Sequence, residues 1–184
     1  MKRVILIHGW QGEPGNHWKK WFRKELETRG VLVIEPNMPN ESNRPEDWIN
    51  RLSEVVGELD NETVLVGHSL GCPTIVGFLS KQTGNSIVLG AVLVAGFFSK
   101  LPRFEDLALW DFKYADVEKA KEHCKKFVSI VSSNDSAVPF EKSKELNDAI
   151  SGEMILEEDK GHFCEDDGVL ELQSVLDATL KIFG

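Results

Sequence analysis

The sequence has 184 residues, of which 41% are apolar and 28% charged, and this composition is typical of one globular domain. Its formal net charge of −9 argues against nucleic acid or an anionic membrane surface as a partner. No apolar run approaches the ~20 residues of a membrane span, and the apolar run after Met1-Lys2-Arg3 is too short for a signal peptide, so we expect a cytoplasmic protein.

Apolar runs alternate with helical patterns along the chain. Six runs predict strands, at 3–7, 31–34, 63–67, 87–94, 127–132 and 153–158. Apolar residues at helical spacing predict helices between them, with core stripes that run from Trp18 to Leu26, Trp48 to Leu59, Ile75 to Leu79 and Val169 to Leu180. Alternating strands and helices predict a parallel sheet covered on both faces, a three-layer α/β/α sandwich, and we expect residues 1–184 to form one domain.

The first predicted strand ends in the loop His8-Gly9-Trp10-Gln11-Gly12. A strand followed by His-Gly is a usual source of one oxyanion donor, the backbone N–H of the residue after the glycine. We therefore expect the N–H of Trp10 to stabilise an oxyanion, with Gln11 as the less favoured alternative.

The third predicted strand runs directly into the GxSxG sequence Gly67-His68-Ser69-Leu70-Gly71, and an apolar helical pattern follows. A serine at so sharp a turn is held on a strained backbone with its hydroxyl directed away from the sheet. A side chain at either glycine would collide with the neighbouring turn. Ser69 is therefore the predicted nucleophile, and the N–H of Leu70, at the start of the helix, is the predicted second oxyanion donor.

An acid and a base are predicted on loops that follow later strands. Asp135 lies just beyond strand 127–132, and His162 follows strand 153–158. A loop aspartate is often only a turn former or helix cap, and the alternative acids are Asp106, Asp111 and Asp159. His162 is the one histidine that follows a strand after the acid; the others are His8, His17, His68 and His123.

These segments resemble the compact serine hydrolases of the α/β-hydrolase superfamily, the family of retinoblastoma-binding protein 9 and the YdeN-like proteins. Further marks of the resemblance are Asn16-His17-Trp18, the stretch 45–48, the loop 135–139 and Gly161-His162-Phe163. The resemblance implies a minimal α/β-hydrolase fold, with a six-stranded parallel sheet in the order 2-1-3-4-5-6 and a triad of Ser69, Asp135 and His162. An LxCxE motif is absent from the sequence, so no retinoblastoma partner is expected.

Related hydrolases insert a lid between the fourth and fifth strands, and here that cap-like segment, at about 97–126, is short. Aromatic residues of this segment and its surroundings can line an apolar acyl pocket: Trp10, Trp18, Phe97, Phe98, Trp110, Phe112, Tyr114 and Phe163. Core packing is the alternative role for each of them. So small a cap predicts an open, shallow site that accepts modest acyl groups.

The predicted function is the cleavage of a small carboxylic ester through an acyl-enzyme, with a small acyl compound as the partner. No HExxH, GxGxxG or GxxxxGK[ST] sequence is present, so neither a metal nor another cofactor is expected. The three cysteines have no CxxC spacing, which favours free thiols. The alternatives are a thioesterase, an amide hydrolase, or a non-catalytic interaction protein that keeps the hydrolase fold.

Overall fold

The computed structural model describes residues 1–101, 103–111 and 114–184. The strands are β1 Arg3–Ile7, β2 Leu32–Ile34, β3 Thr63–His68, β4 Gly90–Val94, β5 Phe127–Ser132 and β6 Glu153–Glu157. The helices are α1 Lys19–Glu27, α2 Pro45–Val56, α3 Gly71–Ser80, α4 Val117–Glu122, α5 Phe140–Ile150 and α6 Gln173–Phe183. Within these ranges, none of the helices has the length and apolar character needed to cross a membrane.

The six strands form one sheet in the order β2-β1-β3-β4-β5-β6, and every neighbouring pair is parallel. This confirms the predicted topology. The chain order reverses between β1 and β3, where Ile7 lies opposite Gly67. Parallel strands end at the same edge of a sheet, so the loops that follow β1 and β3 meet there, at the position where ligands of α/β proteins usually bind.

Helices cover both faces of the sheet, as expected for a three-layer sandwich. The side chains of α1 and α6 pack on one face, and those of α2, α3 and α5 pack on the other. All ten residues of α3 are buried, which explains why this helix is apolar on every side. A Cβ at Gly77 of α3 would lie 2.5 Å from Cδ1 of Ile49, so glycine lets α2 and α3 pack closely without displacing that side chain.

Several element boundaries differ from the prediction, most clearly the starts of the fourth strand and of the last helix. The fourth strand starts at Gly90 and not at 87, because Val88 pairs only with Cys124 in an isolated bridge beyond the sheet ladder. The last helix starts at Gln173, after a 3₁₀ turn at 165–167 and the positive-φ residue Gly168, so Val169 and Leu172 reach the core from a loop.

Candidate functional site

Ser69 lies at the tip of the sharp turn between β3 and α3. Its φ is +52°, and its N–H donates a hydrogen bond to Val94 O at 2.8 Å. An added Cβ at Gly67 would lie 2.7 Å from the carbonyl carbon of Gly71, inside the turn, as the sequence predicts. At Gly71 the added Cβ would lie 2.5 Å from Ile7 O, so this second collision is with the end of β1 and not with the turn. Packing on both sides therefore holds Ser69 in its strained conformation.

His162 and Asp135 are joined by a hydrogen bond at the ends of β6 and β5. His162 Nδ1 donates to Asp135 Oδ2 at 2.8 Å. The second carboxylate oxygen of Asp135 accepts the N–H groups of Ala137 and Val138, at 2.8 Å each. The Asp135 side chain is 1% exposed, whereas that of His162 is 20% exposed. Because Nδ1 carries the proton, Nε2 of His162 keeps its lone pair.

Polar side chains fix the loop that carries His162. Asn134 Oδ1 accepts the Gly161 N–H at 2.8 Å, which ties this loop to the one that carries Asp135. Asp167 Oδ2 accepts the N–H groups of His162 at 2.8 Å and Cys164 at 3.1 Å. Gly161 has a φ of +53°, and a Cβ there would lie 2.0 Å from Asp167 Oδ1. The Gly161-His162 sequence is therefore a requirement of the loop's geometry.

The loop after β1 packs directly against the nucleophile position. A Cβ at Gly9 would lie 2.9 Å from Ser69 Cβ, which shows how closely the two backbones approach. The Gln11 N–H donates to Asn40 Oδ1 at 3.0 Å and is thereby occupied. In the described part of the chain, no group accepts a hydrogen bond from the N–H of Trp10 or of Leu70. These two donors are therefore available beside Ser69.

Two cavities flank Ser69 and His162, and Trp10 also lines both. The first, of about 160 Å³, is called the apolar cavity; its remaining lining residues are Gln11, Leu101, Phe104, Leu107, Ala137 and Val138. The second, of about 80 Å³, is called the Lys19 cavity; its remaining lining residues are Gly9, Gly12, His17, Lys19, His68 and Cys164. The cap-like segment thus contributes to one wall, and the start of α1 contributes to the other.

The structure corrects most of the predicted acyl pocket. Five of the proposed aromatic residues are buried in the core, with at most 1% of their surface exposed, and line neither cavity: Trp18, Phe97, Phe98, Trp110 and Phe163. Tyr114 also packs against the core, and Phe112 lies outside the described residues. These rings instead fill the core and pack the cap-like segment and the loops against the sheet.

His68, the residue between Gly67 and Ser69 in the sharp turn, supports the loop that carries His162. Its Nε2–H donates to the backbone O of His162 at 2.9 Å, and the two ring centroids are 5.0 Å apart. Burial lowers the pKa of His68 well below 6.5, so the ring is a neutral donor at pH 7. Side chains alternate between the two faces of a strand, so His68 lies on the same face of β3 as Val64 and Val66. Its place on this buried face could be predicted from the sequence.

The other titratable groups here do not form a metal site. Within the described residues, no three or more His, Cys, Asp or Glu side chains converge as metal ligands would. Burial raises the pKa of the Cys164 thiol to about 11 and lowers that of His17 below 6.5. His17 Nδ1 accepts the Glu165 N–H at 3.0 Å, so the proton of this neutral ring is on Nε2.

The doubly covered parallel sheet, with a serine at the sharp turn after its third strand, is the α/β-hydrolase fold. The chain belongs to the family described as Serine hydrolase, which matches residues 4–180. It is 37% identical to the protein YdeN of Bacillus subtilis (strain 168) over 99% of this chain and 96% of that protein. It is 26% identical to the serine hydrolase RBBP9 of Rattus norvegicus, over 88% and 87% of the two chains. This structure and the crystal structure of YdeN align with a TM-score of 0.94. The alignment covers all of this chain and 99% of the YdeN chain.

Proposed function

We propose that this serine hydrolase cleaves small carboxylic esters through an acyl-enzyme formed on Ser69. The observation that carries the proposal is the 2.8 Å hydrogen bond between His162 and Asp135, at a site where His162 and Ser69 line the same two cavities. Asp135 holds the imidazole in the tautomer whose Nε2 can take a proton, and the turn presents the Ser69 hydroxyl to the substrate.

In the first half-reaction, Ser69 Oγ forms a bond to the ester carbonyl carbon while its proton passes to His162 Nε2. The carbonyl oxygen becomes an oxyanion that accepts hydrogen bonds from the backbone N–H groups of Trp10 and Leu70. When the C–O bond to the alcohol breaks, the alcohol leaves with the proton from His162. Water then attacks the acyl-enzyme and gives a proton to His162, and the acid leaves as Ser69 regains its proton.

The apolar cavity supports an ester with a small acyl or alkyl group. Its volume of about 160 Å³ is below the several hundred Å³ typical of pockets for drug-sized ligands. Leu101, Leu107 and Val138 line this cavity and are nearly fully buried, so its wall is apolar. Thioesters and amides can react by the same steps, and substrate screening separates them from oxygen esters.

The first test is labelling of the folded protein with a fluorophosphonate probe, followed by mass spectrometry of the modified peptide. We expect one adduct, on Ser69, that is absent from Ser69→Ala and unchanged in Ser53→Ala, which alters an exposed serine of α2. Hydrolysis of 4-nitrophenyl butyrate is expected to fall by at least about 10³-fold in Ser69→Ala and by on the order of 10³- to 10⁴-fold in Asp135→Asn. An unlabelled but folded wild-type protein would instead support the non-catalytic alternative.

A further inference from the structure

The Lys19 cavity contains a buried cation that the proposed reaction does not use. Lys19 is the first residue of α1 and is only 1% exposed, yet it lines this cavity together with Ser69 and His162. Its ammonium group forms no hydrogen bond or ion pair with any residue in 1–101, 103–111 or 114–184. Nζ lies over the Trp18 ring, at 5.8 Å from its centroid.

The acidic side chain that acts most strongly on Lys19 is engaged elsewhere. The Glu35 carboxylate accepts a hydrogen bond from Arg23 at 2.9 Å and another from the Gly15 N–H at 2.8 Å. The Glu35 side chain is also fully buried. A lysine without an ion pair is costly at such a buried position, because its charge has lost most of its hydration.

The other polar groups of the cavity leave room for an anion. The described lining contains no carboxylate side chain. His68 donates its Nε2–H to His162 O, whereas His17 has its Nδ1 occupied by Glu165 and carries its proton on Nε2. Lys19 and His17 are therefore two hydrogen-bond donors on the wall of one small cavity. Their combination is suited to a carboxylate, which has two acceptor oxygens.

We infer that the Lys19 cavity binds a carboxylate of the substrate, so that the hydrolysed ester carries a short carboxylate-bearing group on one side of the scissile bond and an apolar group on the other. This inference rests on the proposed function, because Ser69 and His162 lie on the walls of both cavities. A volume of about 80 Å³ is the space of two to three waters at roughly 30 Å³ each, which is enough for a carboxylate but not for a large anion.

The position of Lys19 explains how it would favour such a substrate. A hydrogen-bonded ion pair formed in a site with little water is stronger than one at the surface. An uncharged ester of the same shape leaves the ammonium group unpaired and gains no such contact. We therefore expect charge on the substrate to raise kcat/KM by about 10- to 100-fold.

The test uses two pairs of esters that differ only in that charge. Monomethyl succinate and methyl succinamate place a carboxylate or an amide on the acyl side; carboxymethyl butyrate and carbamoylmethyl butyrate place them on the alcohol side. Initial rates are followed at pH 7 for the wild type, Lys19→Met and the control Lys20→Met, which changes an exposed lysine of the same helix. We expect the wild type to prefer the charged member of one pair. The pair that shows this preference identifies whether the carboxylate lies on the acyl side or the alcohol side of the scissile bond.

Lys19→Met is expected to abolish the preference, because it lowers kcat/KM for the charged ester far more than for the uncharged ester. Lys20→Met is expected to keep it. The inference is wrong if the wild type shows no charge preference in either pair, or if a preference survives Lys19→Met. Lys19→Gln replaces Lys19→Met if the methionine variant does not fold.

Fluorophosphonate labelling separates this inference from the proposed function. The reactive group of the probe has no carboxylate for Lys19 to bind, so Ser69 should still be labelled in Lys19→Met, and at the wild-type rate in Lys20→Met. Labelled protein that hydrolyses the uncharged esters without a charge preference would overturn only the carboxylate site. Protein that is neither labelled nor active on any of the four esters would overturn the proposed function itself.

Discussion

Lys19 shows how one residue can oppose the stability of the fold around it. Its neighbours on the inner face of α1, Phe22 and Leu26, are fully buried apolar residues, whereas Lys19 brings a charge into the same layer. Burial lowers its pKa from 10.5 to about 8, with the Glu35 carboxylate as the main opposing influence. The side chain is therefore mostly protonated at pH 7, and the folded state bears the cost of an incompletely compensated charge.

The effect of that charge on stability depends on pH, and its sign follows from the direction of the shift. Between about pH 8 and 10.5 the unfolded chain holds the proton of Lys19 more tightly than the folded protein does, so stability rises with pH in that window. We expect Lys19→Met to raise the free energy of unfolding by about 3 kcal/mol at pH 7, and by about 1 kcal/mol at pH 10.

Urea unfolding at both pH values measures the two differences, with Lys20→Met as the exposed control that is expected to change neither. A gain that is equal at pH 7 and pH 10 would mean that the charge of Lys19 does not cause it. A loss of stability at pH 7 would show that the ammonium group is well compensated in the folded protein.

Sequence position alone predicted which side chains would meet at the sheet edge, but not the residues that support them. Asp135 and His162 could be paired because both follow adjacent parallel strands. Lys19 was missed because a charged residue was not counted in the apolar stripe, although its spacing to Phe22 and Leu26 is helical. His68 was missed because GxSxG motifs accept any residue there, and its hydrogen bond to His162 depends on a loop far along the chain.

At the scale of elements, the turn between β3 and α3 depends on its contact with β1. Gly71 is the first residue of α3, and an added Cβ would lie 2.5 Å from Ile7 O and 3.1 Å from the Ile7 side chain. Because Ile7 is part of the central ladder, neither backbone can move without disturbing strand pairing. The position of the nucleophile is thus fixed by the sheet as much as by the turn.

We therefore expect Gly71→Ala to be destabilising by about 2–4 kcal/mol, because overpacked cores relax only by shifting backbone. Labelling of Ser69 in the remaining folded protein should slow as well, since the turn must move. Lys81→Ala, at the exposed C-terminal end of the same helix, is the matched control and should alter neither. Thermal unfolding followed by labelling tests both effects; unchanged stability in Gly71→Ala would show that the turn is more adaptable than this contact implies.

Strand direction and strand order could be predicted, whereas the ends of the elements could not. The parallel arrangement follows from alternating strands and helices, and the strand order follows from the resemblance to the hydrolase family. The starts of β4 and α6 depend on features that an apolar pattern does not contain. Val88 pairs with Cys124, which is far along the chain, and Gly168 turns the chain before α6 begins.

At the scale of the whole molecule, the site combines two cavities of different chemistry, the apolar cavity and the Lys19 cavity, which flank Ser69 and His162. The formal net charge of −9 opposes the approach of an anionic substrate, but salt screens this repulsion over a Debye length of about 8 Å. Inside the Lys19 cavity, the local cation is therefore more important than the overall charge. The apolar cavity, in contrast, selects by volume.

That selection by volume leads to a prediction about chain length. Each methylene that enters the apolar cavity contributes about 0.8 kcal/mol, or about fourfold in kcat/KM, until the chain reaches the wall. We expect 4-nitrophenyl esters to improve from acetate to butyrate and to decline by octanoate, because about 160 Å³ cannot enclose the longer chain.

Leu107 is 4% exposed and lines the apolar cavity, so a smaller side chain at this position would enlarge the cavity. Leu107→Ala is expected to shift the best substrate towards longer chains. Leu109→Ala, a change at a 55% exposed residue of the same segment, is expected to leave the profile unchanged. If the wild type cleaves octanoate as well as butyrate, the acyl chain does not occupy this cavity. If both variants behave alike, Leu107 does not limit the length of the acyl chain, and the limit is set by other lining residues such as Leu101, Phe104 and Val138.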